Sequence, residues 1–176
     1  MLLVSGSLEL SANPALTDAG ERVVRHFAVE DYGAHVNTIG GARLSDGRVL
    51  FGSYGGVVLF DGQTWDFLPV AENFIMNQVV LNDGEIYVSA GGIFGRLVRQ
   101  ANGRYAYESL IEKVTDDPAN YGVSGSMVVH EGVVWVTTGK VMFSWHDGVA
   151  THTSWAEEKV TRLVAGRAGL FAYRGG

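Results

Sequence analysis

Five histidines, His26, His35, His130, His146 and His152, are the most versatile catalytic side chains in this 176-residue chain. No two stand at the i, i+4 spacing of a helical zinc site. His130 and His146 sit beside turns, next to Glu131 and Asp147, and read as surface or edge-strand residues. Paired carboxylates could perform acid–base work, and Asp116-Asp117 and Glu157-Glu158 are the adjacent pairs. Neighbouring positions on a strand point to opposite faces, so these pairs belong in loops or solvated corners. The glycine-rich run Gly91 to Gly95 lacks the Lys-Ser/Thr of a phosphate loop. Ser124 and Ser126 have no nucleophile-elbow context. The chain has no cysteine, which excludes disulfides, thiolate catalysis and Cys-ligated zinc. The expectation is no catalytic residue, no metal and no cofactor.

The elements that position the remaining candidates follow from composition and repetition. Hydrophobic residues at 47% and charged residues at 18% describe a globular chain. With 24 Gly and only 3 Pro, turns must be tight and glycine-built, which favours short antiparallel strands. A net charge of −6 with scattered Lys and Arg gives no footprint for nucleic acid. No apolar run approaches the ~18 residues of a membrane span, so no membrane contact by this segment is expected. The opening "MLLVSGSLELSANPA" has no basic leading region, and no signal peptide is visible.

Four glycines, Gly47, Gly84, Gly132 and Gly169, precede similar apolar bursts at spacings of 37, 48 and 37 residues. Second turns follow at Asp61-Gly62, Asn102-Gly103 and Asp147-Gly148. Such pairs between apolar runs signal hairpins, type I′ when both central residues take positive φ. Each unit therefore holds four strands. The first unit gives 36–44, 48–53, 57–60 and 64–69; the second, 75–81, 85–90, 93–99 and 104–110; the third, 123–130, 133–137, 141–146 and 149–155. The second strand of each, carrying "VLF", "IYV" or "VVWV", is continuously apolar, as in strands buried on both faces. Four-stranded units of roughly 40 residues with two-faced middle strands predict an all-β fold, a β-propeller of antiparallel blades.

Residues 1–176 read as one propeller region of about four blades' worth of chain. Residues 1–30 supply the rear of a blade, with 21–29 as its outer strand. Whole blades occupy 36–69, 75–110 and 123–155, and 159–176 is the front of another. Two arrangements satisfy this pattern. The chain is a partial propeller from a longer parent, or its two partial blades pair and close a four-bladed ring, which removes the open edges.

The stretch from about residue 23 to 65 resembles the two-component regulator propeller repeat. Asn37, Ile39, Asp46, Gly47, Gly52, Ser53, Gly55, Gly56, Phe60, Asp61 and Gly62 carry the resemblance. Leu50 stands where the family places Trp, which Trp135 supplies in the third unit, and Ala90 replaces the usual Ser or Thr in the second. The resemblance implies an extracytoplasmic, periplasmic sensor region, with a downstream signalling domain in a longer parent chain.

Propeller ligands bind where loops gather at a channel mouth, on a rigid scaffold. The loops between fourth and first strands, and between second and third strands, would share that face. The candidates there are Tyr32, His35, Asn37, Tyr54, Asn73, Phe74 and Asn77. The 48-residue spacing places an insertion in 111–125, adding Asp116, Asp117, Asn120 and Tyr121 as a channel cap or partner contact. Aromatics beside amides suit a small molecule, carbohydrate or peptide ligand. The reading is a non-catalytic sensing or interaction module. Its rivals are a propeller glycosidase or lyase using channel-mouth carboxylates such as Asp31, Glu72 and Asp116 or Asp117, and a purely structural interaction scaffold.

Overall fold

A computed structural model describes residues 25–72, 74, 76, 78–118, 121–138, 141–153 and 160–174. Twelve strands form three four-stranded antiparallel sheets, each a meander with strands in sequence order. The first sheet holds β1 (Thr38–Arg43), β2 (Val49–Ser53), β3 (Gly56–Phe60) and β4 (Trp65–Pro69). The second holds β5 (Gln78–Asn82), β6 (Glu85–Ala90), β7 (Ile93–Arg99) and β8 (Tyr105–Ser109). The third holds β9 (Ser124–His130), β10 (Val133–Thr138), β11 (Met142–His146) and β12 (Val149–Thr153). A two-stranded sheet, β13 (Val160–Gly166) with β14 (Gly169–Arg174), follows. The first strands β1, β5, β9 and β13 lie side by side in succession, so the sheets stack as propeller blades.

The hairpin turns are of two kinds. Asp83-Gly84, Glu131-Gly132 and Asp147-Gly148 have positive φ at both residues, the type I′ geometry that matches strand twist. Asp61-Gly62 and Asn102-Gly103 depart from the type I′ expectation. Only their glycines have positive φ, and the acidic or amide side chain folds back onto the backbone instead. Asp61 Oδ1 accepts the N–H groups of Gln63 at 2.8 Å and Thr64 at 2.7 Å. Asn102 Oδ1 accepts the Arg104 N–H at 3.0 Å. These Asx turns sit in loops longer than a two-residue hairpin, enclosing 61–64 and 100–104 between the flanking strand pairs. The last hairpin also shifts register: Gly166 pairs with Gly169, so Arg167 and Ala168 make the turn.

Blade packing explains the continuous apolar strands. In β6, Ile86 and Val88 join Leu50, Val57 and Leu59 of the first blade and Met76 of the connection after it. Tyr87, between them in sequence, turns the other way, with Phe94 of its own blade, to Phe143, Val134 and Val136 of the third blade. Trp135 of β10 then packs toward Val160, Leu163 and Leu170. Each middle strand thus feeds two interfaces, and alternation of apolar with polar residues is not available to it. Close backbone approach also selects glycine. A Cβ on Gly52 would collide with the Met76 carbonyl, and one on Gly56 with the Leu68 carbonyl.

Two segments differ from the expected strands. Residues 1–24 lie outside the described residues. Arg25–Ala28 has no regular structure, and a one-turn helix α1 (Val29–Tyr32) follows. Asp31 Oδ2 accepts the Ala28 N–H at 2.7 Å, and Gly33 closes the helix in the left-handed region. The local capping chemistry of "AVEDYG" outcompetes continuation of a strand. The insertion is the second segment. It begins with a 3₁₀ turn, Ile111–Lys113, and buries Ile111, Val114 and Tyr121 between the second and third blades.

Candidate functional site

The loops joining second to third strands and fourth to first strands gather at one end of the blades. Tyr54 occupies the tip of the β2–β3 hairpin because Gly55 takes positive φ there. Gly55 N–H donates to the Phe74 carbonyl at 2.7 Å, while its own carbonyl accepts the Val70 N–H at 2.9 Å. The hairpin tip is therefore clamped to the next connection. On the other side, Ser53 Oγ donates to the carbonyls of His35 at 3.3 Å and Asn37 at 3.4 Å. Asn37 N–H donates to His35 Nδ1 at 3.1 Å, which fixes that nitrogen as an acceptor. The His35 and Tyr54 rings then lie 5.4 Å apart at 41°.

Phe74 extends the patch toward the second blade, where a Cβ on Gly91 would stand 3.3 Å from its ring carbons. Gly92 N–H in turn donates to the Gly122 carbonyl at 3.0 Å. Tyr54 and Phe74 remain 39% and 43% exposed on this ordered backbone. The structure thus brings His35, Asn37 and Tyr54 together, with Phe74 on the adjoining loop. The patch therefore sets aromatic faces beside an imidazole and an amide residue.

Other candidates fall elsewhere. Tyr32 packs 5.6 Å from the Trp65 ring on the outward face of the first blade. Tyr121 corrects the expectation of an exposed cap: it is buried, 6.0 Å from Phe143. Burial drives its phenol pKa upward, against a smaller opposing effect from Ser89. Asp116 and Asp117 are exposed on the insertion, where the Asp117 N–H donates to Thr115 Oγ1 at 3.1 Å. Asn73, Asn77 and Asn120 lie outside the described residues.

Two of the remaining histidines make contacts within or beside the blades. His152 Nε2 lies 2.5 Å from the Val114 carbonyl, tying β12 to the insertion. His146 Nε2 is 3.4 Å from Asp147. Among the described residues no cluster of three His, Cys, Asp or Glu could hold a metal ion. Asp31 spends a carboxylate oxygen on the α1 cap. The displaced carboxylate pKa values belong to structural groups. Backbone N–H groups of Thr64 and Gln63 bring Asp61 down to about 2, and Arg48 lowers Asp46. Burial, helped by Glu85, pushes the Tyr87 phenol up to about 12 within the second blade.

One feature had no signal in the sequence. Phe27 sits edge-on to Trp65 and Phe60, 5.0 Å from each, and a cleft opens where this segment meets the first blade. Phe27 and Trp65 are separated by 38 positions, and nothing local announces their contact.

No protein-family model matches the chain, and no curated protein matches it in sequence. Solved structures do resemble it. The extracellular domain of a proposed one-component system from B. thetaiotaomicron superposes with a TM-score of 0.65 at 11% identity, over 84% of this chain and 22% of that one. A corresponding extracellular domain, described there as part of a hybrid two-component system, gives 0.62 at 13% identity, over 83% and 21%. Virginiamycin B lyase from Staphylococcus aureus gives 0.59 at 13% identity, over 77% and 48%. This chain spans between a fifth and a half of the length of those proteins. Strand order, blade stacking and these superpositions together make the chain a run of antiparallel β-propeller blades, the fold expected from its repeats.

Proposed function

We propose that this chain is a ligand-binding, non-catalytic β-propeller module of a signal-transduction receptor, placed outside the cytoplasm. The observation that carries the reading is the exposed aromatic patch of His35, Tyr54 and Phe74 on adjoining loops of one blade end. Its backbone is pre-ordered by the Gly55–Phe74 and Ser53–His35 hydrogen bonds, so little entropy is lost when a ligand docks. A small molecule, carbohydrate or peptide with a flat face fits this chemistry. The resemblance to extracellular domains of one- and two-component systems supports a sensing role, with a signalling domain downstream in a longer parent. Binding would reach that domain only through contacts that differ between free and bound states.

The test is a calorimetric screen of the full chain against neutral oligosaccharides and short peptides. A ligand bound by the native chain, lost in Tyr54→Ala and Phe74→Ala and recovered unchanged, supports the reading. A ligand that is cleaved or rearranged replaces it with an enzyme. A ligand indifferent to both substitutions moves the site elsewhere.

A further inference from the structure

The cleft beside the first blade differs in chemistry from the loop face. It lies at the β3–β4 turn, the opposite end of the blade from Tyr54. Two chambers adjoin there, and both are lined by Phe27 and Trp65. The outer chamber, about 420 Å³, adds Arg25, His26 and Gln63. That volume falls within the roughly 300–1,000 Å³ of small-molecule sites. The inner chamber, about 240 Å³, adds Tyr32, Thr38, Phe51 and Val58 and is mostly aromatic and aliphatic.

We propose that this cleft binds a small amphipathic carboxylate of the aryl-alkanoate class, its acid group in the outer chamber and its ring in the inner one. Arg25 carries the anion recognition. Its guanidinium lies 4.8 Å from the centre of the Phe27 ring, which holds the charge at the cleft wall. A guanidinium so placed offers a planar fork of donors to a carboxylate. His26 adds a second nitrogen. Asp31 also lines the outer chamber, where its Oδ2 accepts the Ala28 N–H; a carboxylate there disfavours a bound acid on its side, so the acid group belongs on the Arg25 side. Phe27 meets Trp65 edge-on at 83°, and Tyr32 meets it at 54°. These tilted rings prefer a further aromatic in edge-to-face or offset contact.

Ligand-observed NMR with the full chain tests this, using 3-phenylpropionate, its alcohol 3-phenylpropanol and plain propionate as probes. The acid should bind roughly tenfold more tightly than either comparison compound, because each of those lacks one of the two matched features. Arg25→Gln, an exposed substitution that leaves the fold intact, should bring acid and alcohol to equal affinity. Trp65→Phe should weaken all ring-bearing probes. Tyr54→Ala should change nothing, which separates this site from the loop face. No binding of the acid, equal binding of acid and alcohol by the native chain, or an unchanged preference in Arg25→Gln overturns the proposal.

Discussion

Asp61 shows how one exposed carboxylate can define a turn. It accepts two backbone N–H groups, and Thr64 Oγ1 donates to its other oxygen at 2.8 Å. Its folded-state pKa falls from 3.8 to about 2, so its stabilising effect is complete above the ordinary value and lost as pH drops toward the folded one. Thermal unfolding of Asp61→Ala should therefore show a lower midpoint at neutral pH. It should also show a shallower decline than the native chain between pH 3.8 and 2. An unaltered acid slope would remove Asp61 from that role. Glycine matters in the opposite sense at Gly52, where any Cβ meets the carbonyl oxygens of Met76 and Ile39. Gly52→Ala should cost about 1–3 kcal/mol, read from urea midpoints. A loss under about half a kcal/mol would mean the two carbonyls move aside.

At the scale of elements, the insertion after β8 is a plug and not a lid. Ile111, Val114 and Tyr121 enter the same buried cluster as Phe94 and Phe143, and the His152 contact with the Val114 carbonyl fastens the insertion to β12. Tyr121→Ala should destabilise by roughly 3–5 kcal/mol, as for other buried aromatics. Tyr121→Phe should be nearly neutral, because the buried hydroxyl makes no well-formed hydrogen bond. Equilibrium denaturation of both variants checks this, and a costly Tyr121→Phe would show that the phenol is a working polar contact. The insertion's length was plain from the 48-residue spacing. Its direction was not, since a surface loop and a buried plug can share the composition of "IEKVTDDPANYG".

For the whole molecule, the blade series leaves one sheet face uncovered among the described residues. Phe171 holds the strand position that Trp135 and Tyr87 hold in earlier blades, where a following blade packs over them. Here Phe171 is 56% exposed and Tyr173 66%. Exposed apolar sheet faces next to an open edge drive association. Sedimentation velocity of this chain should show concentration-dependent self-association, reduced in the Phe171→Lys, Tyr173→Lys double variant. A native chain that stays monomeric into the high micromolar range would count against it.

The sequence by itself determined the blade repeat. Its hairpins are local: β6 at Glu85–Ala90 and β7 at Ile93–Arg99 match the expected spans to the residue, because turn chemistry and β-branched runs act over neighbouring positions. It also placed His35, Asn37 and Tyr54 at one blade end, since strand and loop alternate predictably along each unit. Only the tertiary structure decided which aromatics meet. Tyr32 turned from the loop face to Trp65, Tyr121 turned inward, and Phe27 joined the first blade across 38 positions to shape the cleft. Side-chain contacts between distant segments depend on how blades stack, and stacking is a property of shape and volume that no local pattern of residue types encodes.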